Sequence, residues 1–151
     1  MRAIIQVVRS AKVTINGALC GECGTGFLIY LAIHKDDDEL ACQMMVDRIS
    51  KLRILPDHAG KLNWSLNEVE PSEKAKILLI SNFTVYGNPW NGRRPSYQDS
   101  ASFELGQKLY LLVGNQLRSQ GITVSEGEFG ADMEIESVAI GPVNLIIDTK
   151  R

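Results

Sequence analysis

Between Ser81 and Tyr97 the chain reads SNFTVYGNPWNGRRPSY. This stretch gathers most of the side chains that could bind or polarise a substrate. It follows the apolar run Ile77-Leu78-Leu79-Ile80, which reads as a buried strand. Ser81, Asn82 and Thr84 then supply hydroxyl and amide groups, followed by two glycines, two prolines, Tyr86, Trp90, Arg93 and Arg94. A rigid strand that delivers such groups, with free backbone N–H donors, into a Gly/Pro-rich loop is a common way to build a site. A plain surface loop closing a core strand has the same composition, and spacing alone leaves both readings open.

Other chemistry-bearing groups are scattered more thinly. Cys20-Gly21-Glu22-Cys23 has zinc-knuckle spacing, but zinc needs four ligands, and Cys42 is the one other thiol, with no ligand-spaced histidine pair. A redox pair would open a helix, whereas this one ends a hairpin strand, so the cysteines read as structural. Asp36-Asp37-Asp38 could attract Mg²⁺, yet three consecutive side chains do not converge on one ion, and helix capping with solvation is expected instead. His34 and His58 are the two histidines. A triad with Ser81 or Thr84 is conceivable, but no Gly-x-Ser-x-Gly elbow is present, so both histidines are expected at the surface. Neither a metal nor a cofactor is expected. Gly141-Pro142 interrupts an otherwise continuous last strand. Proline removes a ladder donor, and X–Pro is the bond where cis is cheap, so a strand-breaking turn or a rigid projecting one fits here.

These groups must be positioned by a chain of 151 residues, 44% hydrophobic and 23% charged, with net charge −2. That suits one domain, residues 1–151, which buries roughly two-thirds of its extended-chain surface. The charge balance argues against extensive binding along a phosphate backbone and leaves room for a local patch or a nucleic-acid end. No stretch approaches the ~20 apolar residues of a membrane span, and MRAIIQVVRS is too short for a signal peptide. Three cysteines without an export signal point to a reducing cytoplasm.

In chain order, Ala3–Val8 and Lys12–Ile15 read as strands. Asn16-Gly17 supplies a type I′ turn, and Ala18–Glu22 returns. Gly24-Thr25-Gly26 reads as a loop before the strand Phe27–Ile33. A helix then carries Leu40, Ala41, Met44, Met45, Ile49 and Leu52 on its inward face. Arg53–Leu55 is a short strand, Pro56–Gly60 a turn, and Leu62–Val69 irregular or edge structure. Pro71-Ser72-Glu73 turns into the strand Lys76–Ile80. Ser100 or Ser102 caps a second helix, with Phe103, Leu109, Leu112, Val113 and Leu117 inward and Gln120-Gly121 closing it. Ile122–Ser125, Met133–Ala139 and Asn144–Ile147 are closing strands. The expected fold is α+β, one β-rich domain of mostly antiparallel sheets, with about eight strands and two main helices.

Several segments together resemble a known family, the D-aminoacyl-tRNA deacylases. They are the opening AIIQVV, His34–Glu39, Arg53-Ile54 with Asp57–Asn63, Ser81-Asn82-Phe83-Thr84, Gly92–Tyr97, Phe129–Met133 and Gly141-Pro142-Val143. They match in order and spacing from end to end. The resemblance implies a cytoplasmic, non-membrane editing homodimer that binds the acceptor end of aminoacyl-tRNA and cleaves the ester holding a D residue or glycine. It casts Ser81, Asn82, Phe83 and Thr84 as the catalytic corner, the backbone N–H groups of Phe83 and Thr84 polarising the ester carbonyl. A neighbouring ribose hydroxyl then assists water, and Thr84 as a covalent nucleophile ranks lower. Met133 would contact substrate. Gly141-Pro142 would reach across from the partner subunit and reject L side chains. Departures from the family pattern gather near this site: Asn82 for glutamine, Val7 for an arginine, and Ala139, Ile140 and Asn144 around Gly-Pro. They keep two further readings open: a deacylase of altered or relaxed handedness, and a non-catalytic tRNA-binding dimer.

Overall fold

The computed structural model describes residues 1–70, 72, 74–90 and 92–149. Its framework starts from Asn16-Gly17. Their φ values of 51° and 79° form the tight turn that only such residues accept readily. The turn joins β1 (Arg2–Ile15) to β2 (Ala18–Ala32), antiparallel from Ile15↔Ala18 to Arg2↔Ala32. The two segments expected on each side of this turn are therefore single long strands. Gly24-Thr25-Gly26 is not a loop but part of β2. A Cβ on Gly26 would stand 1.9 Å from the Lys76 carbonyl oxygen, so glycine is needed there for the neighbouring backbone to approach.

Beyond β2 lie β5 (Ala75–Ser81) and β6 (Val124–Glu126), both paired parallel. β7 (Glu134–Asp148) pairs antiparallel on the far side of β1. The sheet order is β6-β5-β2-β1-β7, mixed in direction, with the long pairings antiparallel. The short β3 (Leu55–Pro56) and β4 (Leu62–Trp64) form a separate pair. Among the described residues seven strands and two α-helices make the α+β domain: three pairs of expected strands are merged into β1, β2 and β7, and β4 forms within the stretch expected to be irregular or edge structure. Of the expected turn before β5, Pro71 and Glu73 lie outside the described residues.

Successive strand residues face opposite sides of the sheet. Phe27, Ile29, Ile77 and Leu79 join the larger core with the helices, while Leu28, Leu78 and Ile80 join a smaller one. Helix α1 (Glu39–Ser50) is capped by Asp38, whose Oδ1 accepts from the Ala41 N–H at 3.0 Å. It buries Ala41, Cys42, Met45, Val46 and Ile49; the expected inward residues Leu40 and Met44 face solvent, so the buried stripe is rotated by about one residue. Helix α2 (Phe103–Ser119) is capped by Ser102 and ends before Gly121, φ 80°. Leu109, Val113 and Leu117 are buried as expected, but Phe103 is exposed. Its first-turn ring lies edge-on to Phe129, 5.1 Å between centroids, instead of entering the core.

The acidic run is less solvated than its composition suggests. Asp37 is buried, accepting from the Met1 amine and the His34 N–H at 2.7 Å each. His34 is also not a plain surface residue. Its ring packs against Tyr86 at 5.2 Å and its Nδ1 accepts from the Asp36 N–H at 3.2 Å.

Candidate functional site

The site forms where β5 runs out of partners. Ser81 still pairs with Leu31 of β2, and the Asn82 N–H donates to the Leu31 carbonyl at 2.9 Å. Asn82 then turns the chain into a short 3-10 segment, Phe83–Tyr86. Its side-chain oxygen accepts from the Thr84 N–H at 3.1 Å and from the Thr84 hydroxyl at 2.5 Å. This is a local cap: a short polar side chain bonds the backbone two residues on. The corner is fixed from below by Tyr110, whose hydroxyl donates to the Leu79 carbonyl at 2.8 Å. Ser100 Oγ fixes it from the side by donating to the Phe83 carbonyl at 3.0 Å.

Above the corner opens a cavity of about 580 Å³. The structure places Ser81, Asn82, Phe83, Thr84 and Met133 together in its lining, as the sequence reading grouped them. Its other walls include Tyr30, Phe103 and Phe129, which sequence reasoning did not assign to a site. The signal for Phe129 was its place in the Phe129–Met133 segment. Phe103 and Tyr30 carried none, because one reads as helix core and the other as strand core.

Chemically, the cavity offers the hydroxyls of Ser81, Thr84 and Ser102, the Asn82 amide, the Asp132 carboxylate and backbone N–H donors against apolar walls. Neither His34 nor His58 lines it, so no imidazole stands beside Ser81 or Thr84. The Thr84 hydroxyl donates to the Asn82 amide oxygen, which takes up no proton, so this hydrogen bond does not activate it as a nucleophile. Phe83 begins the 3-10 turn, where an N–H has no partner within the helix. The Thr84 N–H, by contrast, is held by Asn82.

The cysteine pair does not assemble. Cys20 is exposed and Cys23 buried, and burial pushes the Cys23 thiol up to about 11. Cys42 is also buried and raised to about 11 by the same cause. Among the described residues no group of three or more His, Cys, Asp or Glu side chains is arranged to hold a metal ion.

Gly141-Pro142 does not break the last strand but makes a bulge in it. Val7 alone on β1 lies between the Gln6↔Asn144 and Val8↔Ala139 pairs, opposite residues 140–143 of β7. The Gly141–Pro142 bond is cis, and both residues are exposed. Gly141 has φ 114°, and a Cβ there would lie 2.6 Å from Val143 Cγ2. Within one chain the bulge is not among the cavity-lining residues, since β2 and β1 separate β7 from β5.

A mixed-sheet α+β domain in which β5 ends beside a largely apolar cavity with polar groups at one wall has a site of small-ligand size and no histidine in its lining. Comparison with known proteins narrows the class. The family described as "D-Tyr-tRNA(Tyr) deacylase" matches residues 4–148, and the chain belongs to that family. A protein of Fusobacterium nucleatum named D-aminoacyl-tRNA deacylase is 44% identical over 150 residues, covering 99% of this chain and 97% of that protein. One of the same name from Thermosipho melanesiensis is 43% identical, covering 100% and 99%. Among solved structures, a protein titled "c-Myc DNA Unwinding Element Binding Protein" superposes with a TM-score of 0.88 at 27% identity, covering all of both chains.

Proposed function

We propose that this protein is a D-aminoacyl-tRNA deacylase. It adds water to the ester carbonyl of D-aminoacyl-tRNA, and of glycyl-tRNA, so that the carbonyl–ribose oxygen bond breaks and a free amino acid and tRNA leave. The observation that carries this reading is the family match across residues 4–148. The cavity beside Ser81–Thr84 supports a location there. The Phe83 N–H and the Thr84 N–H face the developing oxyanion. The latter becomes available when Asn82 Oδ1 gives it up, a cost of about 1 kcal/mol for one exchanged hydrogen bond. As the family resemblance implies, the tRNA's own ribose hydroxyl assists the attacking water, and Met133 packs against the aminoacyl group.

The enzyme works in the cytoplasm as a homodimer, with Gly141-Pro142 of one subunit over the corner of the other. The exposed bulge on the edge strand supports this, as do its exposed apolar neighbours Val138 and Ile146. There its carbonyls exclude an L side chain and admit hydrogen or a D side chain. Among the described residues no helix is long and apolar enough to cross a membrane.

The test is ester loss from D-Tyr-tRNA, Gly-tRNA and L-Tyr-tRNA at micromolar protein. D-Tyr and glycyl esters are expected to hydrolyse and the L ester to survive. Survival of all three at the buffer rate sinks the proposal. One observation favours a second reading, a looser chiral filter. Val7, opposite the bulge, is wholly buried and presents no charged group to hold the turn. Comparable D and L rates would establish that reading instead.

A further inference from the structure

The loop that leaves the catalytic corner carries a feature that the ester chemistry does not use. Asn88 and Ser96 close a small hairpin through reciprocal backbone hydrogen bonds of 2.8 and 2.9 Å. The Asn88 side chain stiffens its turn by accepting from the Trp90 N–H at 3.0 Å. Trp90 stands at the tip, 88% exposed, the most exposed large apolar side chain among the described residues. Arg93 and Arg94 follow it, both exposed, and neither has an ion pair among the described residues.

The hairpin is tied to the cavity at its root. The Gly87 N–H donates to the Thr84 carbonyl at 2.8 Å, and the Tyr97 ring lies edge-on to Phe83, 5.1 Å between centroids. Beside Trp90 lies a second cavity of about 380 Å³, lined also by Arg2, Tyr86 and Asp99. The Tyr86 hydroxyl is buried with no hydrogen-bond partner among the described residues.

An indole offered to water costs apolar hydration. The two guanidiniums that follow it make no ion pair among the described residues, while Asp99 and Asp148 of the adjoining cavity are paired with Lys35 and Arg2. This leaves local positive charge on a chain of net charge −2. This combination of flat π-face and flanking cations suits unpaired nucleotides, whose bases stack on aromatics while their phosphates sit against arginine. We propose that the Trp90 hairpin binds an unpaired nucleotide of the tRNA 3′ strand. Its base stacks on the indole and the adjoining phosphates lie against Arg93 and Arg94. The attachment to Phe83 and Thr84 places that nucleotide a short way upstream of the acylated end. The inference rests on the deacylase reading for its substrate and adds a holding point outside the reaction cavity.

Two measurements test it separately from that reading. In the first, a Trp64→Phe variant keeps Trp90 as the sole tryptophan, and its fluorescence is titrated with a short single-stranded RNA ending in CCA. Quenching is expected, weakening with salt, and Arg93→Ala with Arg94→Ala flattens the salt slope by about 0.7 per lost phosphate contact. In the second, Trp90→Ala raises the KM for D-Tyr-tRNA about tenfold, with Trp90→Phe restoring most of it. D-tyrosyl-adenosine, too short to reach the hairpin, keeps its KM. Wild-type turnover with no quenching and an unchanged KM in Trp90→Ala overturns the inference alone. Emission that shifts with protein concentration and not with RNA overturns it too, by assigning the indole to a second copy of the chain. Quenching without hydrolysis of any ester upholds the hairpin and removes the deacylase.

Discussion

The end of β5 and the bulge of β7 are the two places where this sheet departs from regular pairing, and they do so in opposite surroundings. β5 lies inside the sheet, and Ile77, Leu78, Leu79 and Ile80 are buried on alternating faces. Its last residues are held by packing, by the Asn82 cap and by the Tyr110 hydroxyl on the Leu79 carbonyl. β7 is the sheet edge, with Val138 and Ile146 exposed, the latter 70%, and no further strand beyond it among the described residues. A long apolar edge is a liability unless something covers it. One region is complete within a chain; the other, on the reading proposed above, is completed by a second copy.

That contrast can be broken from either side. Leu79→Ala empties part of the core beneath the corner and is expected to cost about 3 kcal/mol of folding free energy, read as a lowered urea midpoint at unchanged slope. A loss under half of that would show β5 to be less tightly held than its burial indicates. Ile146→Asp acts on the edge and should leave the monomer folded. It should abolish the dimer in gel filtration and lower deacylation on the order of a hundredfold, as expected when half of a site is displaced. An active monomer would remove the cross-subunit role of Gly141-Pro142.

Asn82→Gln sharpens the comparison within the corner. The longer amide no longer matches the two-residue cap, the Thr84 N–H is released, and kcat/KM should rise about fivefold, the rate equivalent of one modest hydrogen bond. A fall would mean that the cap, not the freed donor, governs the corner. The smallest effect concerns the thiols. At pH 8 iodoacetamide should label exposed Cys20 in the native protein. It should spare Cys23 and Cys42, whose thiols burial keeps protonated until near pH 11. Three labels on folded protein, counted by mass, would contradict that burial.

Much of this was legible in the sequence because it is local. Asn16-Gly17 dictates its turn through backbone sterics, Asp38 and Ser102 announce helix starts, and the apolar run before Ser81 marks a buried strand. The change of polarity at that strand's end singled out Ser81–Thr84, and the family resemblance chose a site there over a plain surface loop. The collinear segments identified the family, which the comparisons bear out. What stayed hidden depends on partners distant in the chain. Gly24-Thr25-Gly26 looks like a loop until β5 is laid against it and the Lys76 carbonyl fills the space of a Cβ. Asp37 looks solvated until the amine of Met1 arrives, 36 residues away in sequence. The occupancy of the Thr84 N–H hangs on a single methylene in the Asn82 side chain and shows only in coordinates. Sequence by itself determined the hairpin turn, the helix starts, the buried run of β5 and the family, because propensity, capping and motif order are short-range. Tertiary structure alone decided which strands lie edge to edge and which donors remain free. It also set the bulge of Gly141-Pro142 at an open edge, because pairing and burial are properties of neighbours that the chain brings together only on folding.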